Sequence, residues 1–364
     1  MTKDLNRFKG CMYGGAAGDA LGYAVEFMNI EQVREAYGEQ GITGHTLVGG
    51  KALVSDDTQM TLFTANGILV GMTEEYVRGS RRDMTRYLHN AYMDWQKTQR
   101  LSASASSARC CWLYNLSALH SVRAPGGTCL RSLSSGILGT IEHPINTSKG
   151  CGGVMRVAPI GLYFDPSRYR LEDIDMLGAR SAALTHGHPL GFITAAALVH
   201  ILHQIVYGGF QGDRALDEIV ADCQSAMRSL FGRYDKLARL NELIDLAVEL
   251  AGEKLPDAQA IARIGEGWVA EEALAIAIYC ALKYRGDFAQ ALIASVNHSG
   301  DSDSTGSITG NILGAYLGYD AIPAHFISHL ELADVIGEIT LDLYNDCPMR
   351  DNPKARNDIW CAKY

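Results

Sequence analysis

The sequence predicts an all-α protein, a compact helical bundle forming a single domain over residues 1–364. Three observations lead there. Apolar residues recur at helical spacing along most of the chain, as in Leu198, Ile201, Leu202 and Ile205, or Leu243, Leu246, Ala247 and Leu250. Strand signals are few and short, the clearest being Gly161-Leu162-Tyr163-Phe164, and only nine prolines interrupt the pattern. Glycines fall every four residues at Gly10, Gly14, Gly18 and Gly22, and again at Gly306, Gly310, Gly314 and Gly318. Spacing of this kind puts each set along one helix face. An interior glycine costs about 1 kcal/mol relative to alanine, so eight of them imply two helices lying deep in the bundle with closely approaching backbones. Packing of one on the other would bring together the acidic residues at their ends.

With 47% apolar residues, the chain can bury a core for one or two domains. The least regular stretches are Gly38 to Val54, Ser102 to Ser107 and Arg123 to Met155, and none has the Pro-rich or charged character of a linker, which favours one domain. The helical segments share no fixed period, so a solenoid is disfavoured.

Composition narrows the function. Lys plus Arg number 32 against 41 Asp plus Glu, a net charge of -9, so no basic face gathers nucleic acid. No window reaches the roughly 18 to 20 uninterrupted apolar residues of a membrane span, and the opening MTKDLNRFK lacks a secretory apolar stretch, so a cytoplasmic location is expected. Nine cysteines without a CxxC pair indicate neither a disulfide framework nor a zinc cage, and Cys110-Cys111 reads as buried thiol.

Two acidic clusters stand out. Ser55-Asp56-Asp57-Thr58 precedes an apolar helical run, so Ser55 reads as an N-cap with both carboxylates in the first turn. Asn297-His298-Ser299-Gly300-Asp301-Ser302-Asp303-Ser304 repeats that arrangement just before the second glycine-striped helix. Capping explains either cluster alone. Together they offer hard oxygen ligands from two distant segments, a set suited to Mg2+ or Mn2+ rather than Zn2+, and the pattern of an EF-hand is incomplete. Four clustered carboxylates would repel one another without a cation. Asp19 and Glu26 are seven residues apart and share a face only if the first helix continues past Gly22.

Ser148-Lys149-Gly150-Cys151-Gly152-Gly153-Val154-Met155-Arg156 is a glycine-rich loop of the kind that lets backbone approach phosphate oxygens, though it is neither a P-loop nor a dinucleotide fingerprint. In Thr185-His186-Gly187-His188-Pro189 a histidine between two helices can face a ligand or simply satisfy a helix end. His200 and His203 read as core or surface histidines without chemistry, and no GxSxG elbow supports a serine nucleophile.

The stretches GAAGDALGYAVEF, VSDDTQM, SKGCGGVMRVAPIGL, THGHP, GWVAEEALAIAIYC and NHSGDSDSTGSITGNILG resemble the ADP-ribosylglycohydrolases. The resemblance implies a helical bundle with a dinuclear Mg2+ or Mn2+ cleft. One ion would be held by Ser55, Asp56, Asp57 and Asp303, and the other by Asp301, Asp303, Ser304 and Glu26. Many relatives carry Thr where this chain has Ser55 and Ser304, an equivalent oxygen ligand. It further implies hydrolysis of the bond between ADP-ribose and a modified protein side chain, with arginine the first expectation and serine or a small ester as alternatives. Asp56 or Glu26 would act as general base, Gly150, Cys151, Gly152, Gly153, Val154 and Met155 would cradle the diphosphate, and His186 would help hold the ligand. From another class comes an immunity protein that neutralises an ADP-ribosylating toxin by occlusion.

Overall fold

A computed structural model describes residues 3–79, 83–99, 110–209, 215–352 and 357–364. The expected irregular stretch Ser102 to Ser107 lies outside them. Described helices are α1 (Leu5–Tyr23), α2 (Ile30–Tyr37), α3 (Asp56–Arg78), α4 (Met84–Thr98), α5 (Gly127–Ser134), α6 (Ala158–Tyr163), α7 (Leu171–Ala183) and α8 (Pro189–Tyr207). They continue with α9 (Ala215–Phe231), α10 (Leu237–Ala251), α11 (Asp257–Ile264), α12 (Ala270–Lys283), α13 (Phe288–Val296), α14 (Ser302–Leu317), α15 (Ala333–Asn345) and α16 (Asp358–Lys363). Among the described residues the only sheet is an antiparallel pair, β1 (Leu47–Val48) and β2 (Lys51–Ala52), closed by Gly49 and Gly50 at φ 60° and 80°. Positive φ at both central positions is the geometry of a tight hairpin turn.

Local chemistry starts these helices where they begin. Asp4, Asn29, Ser55, Asp287 and Asn357 each accept a first-turn N–H, and Asn29 with Gln32 forms a full capping box. Pro159 in the first turn of α6 pre-sets the helical φ, and that helix covers most of the segment expected as a strand, Gly161 to Phe164. The expectation fails because four apolar residues fit a buried helix turn as well as a strand, and here the segment packs against α8 rather than a sheet edge.

At the centre runs α8, apolar on every side. Its length and composition would suit a membrane span, but 94% of the apolar window, of mean hydropathy 1.6, is buried inside the protein. A helix hydrophobic all round belongs to the core. Beside it α12 buries nearly every side chain from Ala270 to Leu282.

The glycine stripes do pack on each other. An added Cβ at Gly10, Gly14, Gly18 or Gly22 would lie 2.0, 2.4, 2.0 and 2.1 Å from the carbonyl oxygens of Gly314, Gly310, Gly306 and Ser302. Pairing in that order makes α1 and α14 antiparallel, backbone against backbone. Asn311 adds a polar clamp, its Nδ2 donating to the Cys11 carbonyl at 2.9 Å. Gly318 ends the stripe just past the helix: it caps α14 at φ 87°, a conformation that favours glycine, and its carbonyl carbon would lie 2.9 Å from a Cβ on Gly10. The antiparallel arrangement carries the last turn of α1 to the first turn of α14.

Candidate active site

The end of α1 meets the beginnings of α3 and α14. Asp19, fully buried in α1, accepts from the backbone N–H of Ser55 at 3.0 Å and of Thr58 at 3.1 Å, and from the Thr58 hydroxyl. It therefore caps α3 from another helix, alongside Ser55, whose Oγ accepts from Asp57 N at 3.1 Å. Helix α1 stops at Tyr23, so Glu26 sits on a following turn, closed by Met28 N donating to Val25 O at 2.9 Å, and shares no helix face with Asp19. On α14, Asp301 occupies the N-cap position and Asp303 the first turn, with Asp303 Oδ1 accepting from Ser304 N at 2.9 Å. Gly300 makes this approach possible: it adopts φ 142°, and a Cβ there would lie 1.9 Å from the Glu266 carbonyl that accepts from Asp301 N.

These elements enclose a cavity of about 150 Å³ lined by Glu26, Asp56, Asp57, Asp301, Asp303 and Ser304. Oxygens of Asp56, Asp57 and Asp303 lie within 4.8 Å of one another. Asp301 lies beside Asp303 and accepts from Cys151 Sγ at 2.7 Å. Ser55 is not part of the lining; it lies behind the carboxylates as the cap of α3. Loop 123–126 clamps Asp56, whose N–H donates to Arg123 O at 3.0 Å and whose Oδ2 accepts from Gly126 N at 3.1 Å. Ala124 in that loop adopts φ 48°, an uncommon backbone state at the cavity wall.

Burial first, and then mutual repulsion, raises the carboxyl pKa values throughout the cluster. Glu26 is pushed up to about 9 by burial and by Asp303, Asp56 and Asp19, and Asp57 and Asp303 stand well above the ordinary carboxylate range. Two buried oxygens, Glu26 Oε2 and Asp57 Oδ2, have no hydrogen-bond partner. Buried carboxyl oxygens without donors are costly to ionise unless a cation meets them. An all-oxygen donor set of carboxylates and a hydroxyl fits hard divalent ions.

The glycine loop forms another wall through Gly150, Cys151, Gly152 and Met155, while Gly153 and Val154 lie behind it. Several of its N–H groups are committed within the protein: Gly150 to Ser148 Oγ at 3.3 Å, Cys151 to Trp268 O at 3.2 Å, Val154 and Met155 to Cys151 O at 2.8 and 3.2 Å. What the glycines contribute is clearance, since a Cβ on Gly152 would lie 2.9 Å from Cys129 Sγ and 3.2 Å from the His186 ring. His186 itself lines the cavity. The Thr185 hydroxyl sits 2.9 Å from His186 Nδ1 and accepts from Arg156 at 2.8 Å, which fixes the ring's orientation. Burial and the Arg156 charge hold His186 down at about 3, so the ring is neutral in the physiological range.

Sequence reasoning left the roles of several contributors unread. Asp19 gave only a glycine-flanked carboxylate, with nothing local to show that it caps a helix 36 residues away. Arg156, fully buried, stacks on Tyr92 at 4.2 Å and donates to Ser181 O. Gly126 to Cys129 and Trp268 also line the cavity; the Pro125-Gly126-Gly127 turn left a local signal, and Trp268 lies in the GWVAEEALAIAIYC stretch without having been singled out. His200 and His203 are core residues as expected. The Cys110-Cys111 expectation needs amending: Cys111 is buried but Cys110 is half-buried, and both backbone N–H groups donate to Asp94 on α4. Asp94 is further paired with Lys97, so its carboxylate is already spent and the group is a structural tie.

The sequence profile of the ADP-ribosylglycohydrolase family matches residues 1–353. The ADP-ribosylhydrolase ARH3 of Bos taurus is 23% identical, the alignment covering 88% of each chain. The ADP-ribosyl-[dinitrogen reductase] glycohydrolase of Rhodospirillum rubrum is likewise 23% identical, over 90% of this chain and 91% of that one. Among solved structures, an ADP-ribosylglycohydrolase-related protein complex superposes with a TM-score of 0.65 at 23% identity, covering 94% of this chain and 98% of that chain, which shows a shared fold. A profile match over nearly the whole length, on a helical fold whose acidic helix ends converge in one cavity, places this chain in the ADP-ribosylglycohydrolase family of metal-dependent enzymes that hydrolyse ADP-ribose linkages.

Proposed function

We propose that the protein removes ADP-ribose from a modified protein side chain, with arginine as the acceptor, using two divalent cations, Mg2+ or Mn2+. The observation that carries the reading is the set of buried carboxylates meeting in one cavity with Glu26 Oε2 and Asp57 Oδ2 unpartnered. Asp56, Asp57, Asp301, Asp303, Ser304 and Glu26 would hold the cations, and Ser55 would supply a hydroxyl from behind. Bound cations would supply positive charge against the ribose hydroxyls and the attacking water.

The protein's own groups do the rest. Asp56 is fixed by the Gly126 N–H and orients rather than moves. Glu26 stands on a turn with a free oxygen facing the cavity, which suits it to take and return the proton, Asp56 being the alternative. Carboxylates around the anomeric carbon favour the positive charge that develops there as the bond to the acceptor breaks. His186 offers the ligand a neutral ring at the cavity wall. Beside this cavity and sharing Thr128 with it lies an open cleft of about 980 Å³ bearing Arg131, Asn146 and Ser148, with room for the rest of the nucleotide. An acceptor that is itself a cation, a guanidinium, matches the acidic mouth better than a neutral hydroxyl. A toxin-blocking binder needs no buried unpartnered oxygens, which weighs against occlusion.

A release assay across linkages tests the proposal. With Mg2+ or Mn2+, purified protein should free ADP-ribose from ADP-ribosylated arginine and do so faster than from serine or ester linkages. Intact arginine-linked substrate after prolonged incubation, with metal present, rules the acceptor assignment out.

A further inference from the structure

Two large aromatic rings stand exposed at the mouth of the acidic cavity, where burial would ordinarily be expected. Phe27, next to Glu26 on the turn after α1, is 75% exposed, and Trp268, which lines the cavity, is 40% exposed. Their rings face each other with centroids 6.4 Å apart and planes 20° from parallel. They come from segments 241 positions apart in sequence, so nothing local brings them together.

Their backbones are tied down. Trp268 follows Gly267 at φ 84°, where a Cβ would lie 2.8 Å from Thr305 Cγ2, and its carbonyl accepts from Cys151 N. Just beyond it, Ala270 N donates to Lys149 O at 2.8 Å, joining the segment to the glycine loop. The turn bearing Phe27 is closed by the Val25 carbonyl and followed by Ile30 N donating to Ser299 Oγ at 3.0 Å. Both backbones are thus anchored at the edge of the site, one beside Glu26 and the other beside the glycine loop. An exposed aromatic pair on anchored backbone, beside a buried polar cavity, marks a recognition surface.

We propose that Phe27 and Trp268 form the acceptor subsite, stacking the planar guanidinium of the ADP-ribosylated arginine as it enters over the carboxylates. The inference rests on the arginine reading above and names the residues that impose it. Ring faces attract a cation, and guanidinium stacks flat on them. A neutral serine linkage gains nothing from such a pair. The rings act on the acceptor and not on the ADP-ribose.

The test uses the full-length enzyme with Mg2+ and an ADP-ribosyl-arginine peptide, comparing wild type with Phe27→Leu, Trp268→Leu and the double variant. The double variant should raise KM for the arginine peptide by about tenfold to a hundredfold with kcat changed far less, as expected when each ring gives up its attraction for the cation. Affinity for free ADP-ribose should hold within about twofold, and Phe27→Tyr, which keeps a ring, should restore KM. Phe27 is so exposed that its substitution leaves the fold intact, which keeps the single variant informative even if Trp268→Leu misfolds. If wild type cleaves the arginine peptide but Phe27→Leu leaves KM unchanged, the subsite is wrong while the arginine reading stands. Equal losses for free ADP-ribose and for peptide overturn it too, placing the rings on the nucleotide. If wild type itself leaves the arginine peptide intact, the underlying reading fails first.

Discussion

At the residue scale, the same side-chain types behave differently according to what surrounds them. Asp19 and Asp57 are both buried near the cavity. Asp19 spends its oxygens on Ser55 and Thr58 and is structural, whereas Asp57 keeps Oδ2 free. His200 gives a similar contrast with His186. It is buried between Asp175 Oδ2 at 2.8 Å and Asp222 Oδ2 at 3.0 Å, outside the cavity lining. Burial lowers its pKa, but the hydrogen bonds and charges of the two carboxylates outweigh that and leave it above 6.5. A raised folded-state pKa stabilises the protein fully below the unfolded value, and the contribution disappears as pH rises through the folded value. His200→Gln should therefore cost about 2 kcal/mol at mildly acidic pH and progressively less as the solution becomes alkaline. Urea denaturation of both proteins across a range from about pH 5.5 to about pH 9 measures the gap; a gap independent of pH contradicts the charged pair.

At the element scale, the packing of α1 on α14 decides whether a site exists. Each stripe glycine leaves only enough room for a hydrogen where a Cβ would strike a carbonyl at 2.0 to 2.4 Å. Backbone atoms cannot move aside as a flexible side chain can, so a methyl there must push the helices apart. Gly18→Ala and Gly310→Ala should each destabilise by about 3 kcal/mol, in contrast to Gly252→Ala, which should stay within about 0.5 kcal/mol. Gly252 is the suitable control because its nearest neighbour, Glu249 O, is 3.5 Å from the added Cβ. Thermal unfolding of the three variants tests this, and equal midpoints would show that the helices tolerate separation. Gly18→Ala should also weaken metal binding, since it displaces the end of α1 that holds Asp19.

At the scale of the whole molecule, the cavity gathers residues from Glu26 to Ser304 and no contiguous segment could build it alone. Its repelling carboxylates strain the fold that supports them, and cations that bind only the folded state offset the strain. Mg2+ or Mn2+ at about a hundred times its dissociation constant should stabilise by about 2.7 kcal/mol, and chelation should remove the gain. Asp57→Asn should raise the melting temperature of chelated protein, by relieving repulsion, while abolishing the metal-dependent rise. Scanning calorimetry of both proteins with and without chelator checks the two signs. A melting temperature for wild type that ignores metal and chelator alike contradicts a cation site at these carboxylates.

Much of this was legible in the chain itself. Helical periodicity indicated the fold class, because a 3.6-residue repeat of apolar side chains is imposed by the helix and needs no neighbour to be seen. Four-residue glycine spacing marked the two closely packed helices, and Ser55 announced the start of α3 through its own side chain. Periodicity could not separate a turn of helix from a strand at Gly161 to Phe164, where the segment is too short for either period to show. Nor could it say that Asp19 would cap a helix it does not belong to, that Ser55 would lie behind the cavity and not in its lining, or that Phe27 and Trp268 would face each other at its mouth. Sequence by itself determined the helical fold class, marked two glycine-striped faces suited to close packing, and showed which carboxylates were available. Tertiary structure alone decided which oxygens are satisfied and which are left unpaired, because hydrogen bonding and burial depend on partners brought together by packing and not on neighbours along the chain.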